Sequence, residues 1–337
     1  MRIWTRLEDY KKNPSRPLVL ALGNFDGVHV GHQRILQRVV ERGRKLQGVP
    51  SVLTFAEHPQ KVLGHRLEPE LLTSPQHRLL LLQELGIEAC FLLHFTVAFS
   101  KTDAETFVKK WLVEKLGIKE MHSGYNAHFG CDRKGGVPLM KNLSNQLGFE
   151  FYEAEPVKVG EEFVSSSLTR RVIREGDLAK ARELLGRPFS IFASVIHGKG
   201  RGKTLGFPTA NLRPHGEILP PRGVYPVEVR ESVFHLKSRG DKEEFEFVVE
   251  RPGEWLPGVL NYGSRPTFEA RGPEIPEVFL LNYSGDLYGK TVEVLFRPKL
   301  RDEREFESSA ALARAIGQDV EAARRYFKNT RQTGLYK

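Results

Sequence analysis

Residues 18–32 read LVLALGNFDGVHVGH, and this stretch decides the fold of the first half of the chain. Leu18 to Leu22 are all apolar, are too few for an independent helix and stop at Gly23, so they predict a strand buried on both faces. Gly27 and Gly31 let the backbone approach a ligand closely, and the apolar spacing that follows is typical of an amphipathic helix. A strand that runs through glycines into a helix N-terminus predicts a phosphate-binding turn, because free N–H groups and the helix dipole favour an anion there.

Length and composition limit the class of protein. The 337 residues predict about two domains at the usual ~150 residues each. The chain is 40% hydrophobic and 28% charged, as in soluble globular proteins, and no apolar run approaches the ~18 residues of a membrane span. Residues 1–17 lack the continuous apolar stretch of a signal peptide. Cys90 and Cys131 show neither metal-site nor disulfide spacing, so we expect a cytoplasmic protein.

The net charge of +9 favours an anionic partner. Because the basic residues are scattered rather than grouped in a block, we expect phosphorylated small molecules and not nucleic acid or a membrane surface. The sequence does not indicate an oligomeric state.

The first half alternates strands and helices. Strands are predicted at 51–55 and 87–95, and helices at 75–86 and 103–116. This alternation predicts a parallel sheet with right-handed crossovers. A polar, glycine-rich stretch is expected to follow at 122–136, then short strands within 149–159, and then two helices at 168–177 and 177–186.

The second half changes character near Gly186. Its segments are short, alternating and separated by glycine and proline, which predicts an antiparallel barrel or sandwich. Only residues 308–327 have a helical apolar stripe. We therefore expect two domains, 1–185 and 186–337.

Two motifs resemble those of a known family. GNFDGVHVGH (23–32) is similar to the nucleotide-binding signature of the bacterial FAD synthetase module, and HGKGRGKTLGFPTANL (197–212), followed by GVY, is similar to the ATP-binding signature of riboflavin kinase. Their order in one chain resembles the bifunctional riboflavin kinase/FAD synthetase family. Further matches lie at Thr54, Phe55, His58 and Pro59 and at residues 165–170, 261–268, 286–290 and 300–306.

The resemblance implies a fold and two activities. The fold is an α/β nucleotidyltransferase domain with a Rossmann-like parallel sheet, followed by an antiparallel β-barrel riboflavin kinase domain with a terminal helix. The activities are phosphorylation of riboflavin to FMN and adenylylation of FMN to FAD with release of pyrophosphate, both with ATP and Mg²⁺. Flavoenzymes would receive the products. Two alternatives stay open: a kinase with a degenerate adenylyltransferase module, and a non-catalytic flavin- or RNA-binding regulator.

In the N-terminal domain the resemblance assigns catalytic contacts with ATP phosphates to His29 and His32. Arg170 is the implied fixed cation for the leaving pyrophosphate. Without the resemblance, the histidines read as a polar pair on a helix surface, and one serine of 165–167 as an ordinary N-cap. The implied nucleotide-binding residues are Gly23, Phe25, Asp26, Gly27, Gly31, Asn126, Ser165 and Ser166.

In the C-terminal domain the resemblance places Mg²⁺ and ATP phosphates on Thr209 and Asn211, whose hard oxygens suit this ion. A flap over the nucleotide would contain Gly198, Gly200 and Gly202, with Thr204 and Pro208 also nucleotide-binding. Only three residues separate Gly198 from Gly202, one fewer than in a Walker motif, so this segment is not a P-loop.

Glu277 is the expected general base for the kinase step. Strand alternation puts it on the same face as Phe279 and Leu281, and a carboxylate on an apolar face costs several kcal/mol unless it is paired or used. The family has its catalytic glutamate here. The alternative is a solvent-facing residue at the start of a strand. Arg301 and Phe306 are the implied flavin contacts, and a surface arginine in a charged loop is the alternative for Arg301.

The chain departs from the family pattern in several places, among them Thr169, where an aliphatic residue is common, and Phe279 and Asn282, which replace polar residues near Glu277. Ala127 and His128 stand where an aromatic residue, and often an arginine, is usual, so FAD synthesis is the less certain of the two activities. Residues 231–256 form an insertion, which we interpret as a longer surface hairpin and not as a new site.

Overall fold

A computed structural model describes residues 1–57, 70–198, 206–239, 244–251, 253–263 and 275–332. The chain forms two compact units. The first contains Met1–Ser166 and Phe234–Val249, and the second contains Ser167–Val233 and Glu250–Lys337. Within the described ranges, no helix is both long enough and apolar enough to cross a bilayer.

The first unit is built on an eight-stranded sheet of order β12-β13-β1-β4-β3-β2-β5-β6. Strands β1 to β6 are Arg2–Trp4, Leu18–Leu22, Val49–Phe55, Ala89–Leu93, Ile118–Gly124 and Glu150–Ala154, and they pair in parallel. Strands β12 and β13 are Val233–Ser238 and Glu244–Glu250. The predicted parallel sheet is confirmed.

The helices of this unit connect the parallel strands. They are α1 (Val30–Lys45), α2 (Pro75–Glu84), α3 (Val97–Ser100), α4 (Ala104–Thr106), a π-helical segment (Phe107–Leu116) and α5 (Val137–Leu147). A small hairpin, β7 (Lys158–Val159) and β8 (Glu162–Phe163), precedes α6 (Ser166–Glu175). One face of the sheet packs its apolar side chains, among them Leu20, Leu53 and Phe91, against the π-helical segment and α5.

The insertion in the second half of the sequence joins this sheet. Strand β13 pairs antiparallel with β1, so that Ile3 lies opposite Phe245. Phe247 is 2% exposed and stacks against Phe234 of β12. The expected hairpin is therefore present, but β13 lies in the sheet of the first unit. There it covers the backbone edge that β1 would otherwise expose.

The second unit contains a closed antiparallel barrel of order β10-β15-β14-β11-β16-β9. These strands are β9 (Ser190–Ile196), β10 (Ala210–Pro214), β11 (Gly223–Glu231), β14 (Leu256–Tyr262), β15 (Glu277–Leu280) and β16 (Thr291–Phe296). The terminal helix α8 (Ser309–Gln332) lies against β11 and β14. Its Val320 and Ala323 pack with Val224, Val259 and Leu281.

The division into units differs from the boundary expected at residue 186. Helix α6 and helix α7 (Leu178–Leu185) lie almost wholly in the second unit. Gly176, between them, lies so close to Pro221 that a Cβ there would be 3.3 Å from the proline ring. The limits of the two functional domains, 1–185 and 186–337, stay a prediction from the sequence.

Candidate functional sites

The turn after β2 has a constrained backbone. Gly27 has φ +83°, and Phe25 and Val28 also have positive φ values, +50° and +41°. Left-handed conformations are unfavourable for residues with a bulky side chain and persist only where the surroundings impose them. The turn is therefore held by contacts from other parts of the first unit.

Asp26 supplies the main contact. Its carboxylate is 2% exposed and accepts hydrogen bonds from the backbone N–H groups of Leu72, at 3.0 Å, and Thr73, at 3.1 Å. The Thr73 hydroxyl in turn accepts from the N–H of Gly27 at 3.0 Å. The Asp26 carboxylate thus binds backbone groups of the protein itself and fixes the turn to the segment before α2.

His29 and His32 lie together at the start of α1. His29 is the N-cap of the helix, and its Nδ1 accepts a hydrogen bond from the N–H of His32 at 3.3 Å. The two rings stack with centroids 3.6 Å apart. Gly31 allows this, since a Cβ there would lie 3.2 Å from the His29 ring. Gly23, where the strand ends, is equally close to the ring of Phe25.

The surroundings of His32 keep it neutral. Desolvation lowers the pKa of His32 well below 6.5, and the neighbouring His29 and Arg78 lower it further. Its Nδ1 is buried without a hydrogen-bond partner among the described residues. A neutral imidazole with an unused nitrogen can donate to or accept from a ligand.

Arg78 is a buried cation of this region that the sequence interpretation missed. It lies in α2, is 5% exposed and donates to the carbonyl of Asn24, at 2.9 Å, and to that of Phe55. Asn24 follows β2, and Phe55 is the last residue of β3. One guanidinium therefore connects the carboxyl ends of two parallel strands. The sequence signal for this buried cation was an arginine directly before four consecutive leucines. The apolar pattern of the leucines drew attention away from it.

The remaining predicted residues of the first site come from two other segments. Asn126 is exposed in the turn after β5, at the same carboxyl edge of the sheet. The hydroxyl of Ser166 donates to the carbonyl of Asp26 at 3.0 Å, which brings Ser166 to the phosphate turn, with Ser165 directly before it. Arg170 is buried four residues later in α6 and belongs to the second unit.

A buried ionic cluster lies beside α1. Glu120 of β5 is fully buried; its two oxygens share the N–H of Arg42 Nε, at 2.9 and 3.0 Å, and one of them also accepts from Arg42 Nη2. Burial would raise the pKa of Glu120, but the hydrogen bonds from Arg42 and His122 outweigh it and lower the pKa. His122 stacks on Tyr152, and burial lowers the pKa of His122 to about 4 although Glu120 opposes the shift.

The second set of residues meets on the barrel. The hydroxyl of Thr209 donates to Glu277 Oε2 at 3.4 Å. Asn211 of β10 lies directly opposite Glu277 of β15, and Asn261 of β14 lies opposite it on the other side. Residues opposite each other in a sheet share a face, so these polar side chains surround one carboxylate.

Asn211 has an unused ligand atom. The side chain is 5% exposed, and its Oδ1 is buried with no hydrogen-bond partner in the part of the chain that the structure describes. Gly198 lies against the Asn211 side chain, so closely that a Cβ at this glycine would overlap the amide. Oxygen atoms of Thr209, Asn211 and Glu277 form a hard donor set, which fits Mg²⁺.

The apolar side of this site comes from two rings. Phe279 shares the face of Glu277, and Phe207 packs edge-on against it with centroids 5.6 Å apart. Pro208, between Phe207 and Thr209, is exposed. Glu277 is partly buried beside these rings, as the alternation of the strand predicts.

Arg301 and Phe306 also lie together. Arg301 Nε and Nη2 donate to the two carboxylate oxygens of Asp319 at 2.8 and 2.6 Å. The guanidinium lies 5.8 Å from the centre of the Phe306 ring. Asp319 belongs to α8, so the terminal helix fixes the orientation of Arg301.

Several predicted residues lie outside the described part of the chain. They are His58 and Pro59 of the first module and Gly200, Gly202 and Thr204 of the second.

Comparison with known proteins decides the family. The FAD synthetase profile matches residues 11–168, and the riboflavin kinase profile matches residues 185–327. The bifunctional riboflavin kinase/FMN adenylyltransferase of Escherichia coli (strain K12) is 33% identical over 98% of this chain and 99% of its own length. The enzyme of the same name from Pseudomonas fluorescens is 36% identical over 92% of this chain and 93% of its own.

The chain belongs to the bifunctional riboflavin kinase/FMN adenylyltransferase family. Within this family, the phosphate turn falls in the part matched by FAD synthetase, and Glu277 falls in the part matched by riboflavin kinase. A crystal structure described as a macrolide-efflux protein from Streptococcus pneumoniae matches with a TM-score of 0.76 and 28% identity over 96% of this chain and 98% of that one. This likeness supports the two-part fold.

Proposed function

We propose that the chain makes flavin cofactors in two ATP-dependent steps, riboflavin phosphorylation on the barrel and FMN adenylylation at the parallel sheet. It is a riboflavin kinase and an FMN adenylyltransferase. The observation that carries the assignment is that each family match covers its own set of clustered polar residues, Thr209, Asn211 and Glu277 in one case and His29 and His32 in the other.

In the kinase step Glu277 is the general base. It takes the proton from the terminal ribityl hydroxyl of riboflavin while that oxygen attacks the γ-phosphorus of ATP, and ADP leaves. The hydrogen bond from Thr209 supports this role, because it orients the carboxylate from one side. Phe207 and Phe279 restrict the access of water to the same face.

Thr209 and Asn211 would hold Mg²⁺. The unpartnered Oδ1 of Asn211 supports this assignment, because a buried amide oxygen without a donor is costly unless a ligand uses it. When bound, the ion neutralises charge on the phosphate oxygens of ATP.

In the adenylylation step a phosphate oxygen of FMN attacks the α-phosphorus of ATP, and pyrophosphate leaves. His29 and His32 lie at the N-terminus of a 16-residue helix, where their ring nitrogens and the helix dipole favour phosphate oxygens. The bound polyanion would raise the pKa of His32 from its lowered value. Ser165 and Ser166 are proposed to contact the leaving pyrophosphate, and the role of Arg170 stays the prediction drawn from the resemblance.

The flavin-side contacts are proposed to be Arg301 and Phe306. The proximity of the guanidinium to the Phe306 ring supports a shared surface for a planar ligand. The bond to Asp319 leaves part of the guanidinium available, since Arg has five N–H donors. Delivery of FMN and FAD to flavoenzymes and a cytoplasmic location remain predictions.

Chromatography of the products from riboflavin, ATP and Mg²⁺ tests this function. We expect FMN to form first and FAD to follow, with ADP and pyrophosphate released. Formation of FMN alone, with added FMN also left unconverted, would indicate a kinase with a degenerate adenylyltransferase module. No nucleotide-dependent turnover of either flavin would indicate a binding protein.

A further inference from the structure

The first unit contains a cavity at the edge of the sheet opposite to the phosphate turn. It has a volume of about 420 Å³. Arg2 and Val49, which line it, are the first residues of the parallel strands β1 and β3, whereas the turn with His29 follows the carboxyl end of β2. The cavity is therefore separate from the proposed adenylylation site.

The lining of this cavity carries an excess of positive charge. Four basic side chains, Arg2, Lys11, Arg16 and Arg239, face two carboxylates, Asp9 and Glu244. Arg16 is committed to Glu88, at 3.0 Å. In the described ranges, the other three basic groups have no carboxylate within ion-pair distance. Arg2 lies over the Trp4 ring, with 5.4 Å from its guanidinium carbon to the ring centre. Cations without a carboxylate partner around a concave surface favour an anionic ligand.

Two further donors line the cavity. Trp4 is 2% exposed, and its indole Nε1 is buried without an acceptor among the residues that the structure describes. Tyr10 is 8% exposed and places its hydroxyl-bearing ring in the same lining. Burial raises the pKa of Tyr10 although Arg2 and Arg16 lower it, so the hydroxyl keeps its proton. A buried donor without an acceptor is costly unless a ligand supplies one.

The donors come from three segments. Arg2 and Trp4 belong to β1, Lys11 to the segment before β2, and Arg239 to the inserted hairpin. A planar carboxylate accepts mainly within its own plane, whereas a tetrahedral phosphate accepts from several directions. The volume leaves room for more than one phosphate group.

We propose that this cavity is a binding site for a compact di- or polyphosphate anion. The site depends on the insertion, because Arg239 reaches the cavity only when β13 pairs with β1. The inference goes beyond the proposed function and does not depend on either catalytic site.

Trp4 provides a local readout. In a full-length variant with Trp111→Phe and Trp255→Phe, Trp4 is the only tryptophan left. We expect titration with inorganic pyrophosphate to change its fluorescence in a saturable way, with an affinity that falls as salt rises. Adding His29→Ala and His32→Ala should leave this response unchanged, which separates the cavity from the adenylylation site.

Matched charge changes test the lining. In the Trp4-only protein, Arg2→Gln with Arg239→Gln should weaken binding at least about tenfold, since two charge-assisted hydrogen bonds are lost. Arg44→Gln with Lys45→Gln removes two charges from α1, outside the lining, and should change affinity less than about twofold. If circular dichroism shows that the first pair misfolds, Arg239→Gln alone, at an exposed position, should weaken binding at least about threefold.

Three results would overturn the proposal. They are the absence of a saturable Trp4 response to pyrophosphate, equal weakening by the cavity pair and the control pair, and binding of citrate as tight as that of pyrophosphate. The last would show a general anion site without the preference for phosphate.

Discussion

Thr209 donates a hydrogen bond to Glu277 across 3.4 Å, which joins the segment before β10 to the start of β15. Asn211 and Asn261 flank the same carboxylate in the neighbouring strands. The barrel thus assembles one acid and three neutral oxygen-bearing side chains from segments that are far apart in the sequence.

This arrangement predicts the effect of Glu277→Gln. The amide keeps the size and a hydrogen-bond acceptor but cannot take a proton, so FMN formation should fall by about 10²- to 10⁴-fold. Glu321→Gln, on an exposed carboxylate of α8, is the control and should keep wild-type activity. Thermal unfolding should be unchanged in both. Full kinase activity of Glu277→Gln would place the base elsewhere.

Removal of the buried guanidinium predicts a loss of stability in the first unit. Arg78→Met leaves the carbonyls of Asn24 and Phe55 without their donor, which should cost about 2–5 kcal/mol of unfolding free energy, measured with urea. FMN adenylylation should fall more than riboflavin phosphorylation. Arg34→Met, at an exposed position of α1, should change stability by less than about 0.5 kcal/mol. Equal stability of the two variants would contradict a structural role for Arg78.

The inserted hairpin provides a test of how the first unit is completed. Phe247→Ala removes a buried ring from β13 and should destabilise the protein by about 3–5 kcal/mol. Leu236→Ala changes an apolar side chain of β12 that is 59% exposed, and its effect should stay within about 0.5 kcal/mol. If Phe247→Ala had no more effect than Leu236→Ala, the pairing of β13 with β1 would not contribute to stability.

His122 predicts a pH dependence of stability. Its folded pKa of about 4 lies below the reference value of 6.5, so between these values the unfolded chain binds a proton that the folded chain excludes. The unfolding free energy should therefore fall as pH decreases from 6.5 to 4, by up to about 3 kcal/mol from this residue. His122→Gln, compared with wild type in urea titrations over this range, should show a shallower slope. An identical slope would show that His122 is not buried as a neutral ring.

Local pattern predicts those parts of the fold in which neighbours along the chain decide the structure. Leu18–Leu22 forms the predicted strand because all five side chains are apolar and buried, and the helix after Gly31 follows from its apolar stripe. Strand β5 was not predicted, because Glu120 and His122 are polar. Both are nevertheless buried, and Arg42 of α1, 78 residues before Glu120, pairs with the Glu120 carboxylate.

Long-range pairing explains the rest. The contact of β13 with β1 joins residues 240 to 244 positions apart, which no periodicity reveals. The face of Glu277 follows from strand alternation, but its proximity to Thr209 and Asn211 depends on barrel closure, and only the family resemblance indicated it. The roles of the individual site residues still stay predictions.

A complementation assay tests the central claim, that two sites in one chain carry out the two steps independently. With riboflavin, ATP and Mg²⁺, His29→Ala with His32→Ala should accumulate FMN at the wild-type rate and form FAD at least about 100-fold more slowly. Glu277→Gln should form FAD only when FMN is added. Mixed together, the two variants should convert riboflavin to FAD. If each variant lost both activities and the mixture formed no FAD even from added FMN, the claim of two independent sites would be contradicted.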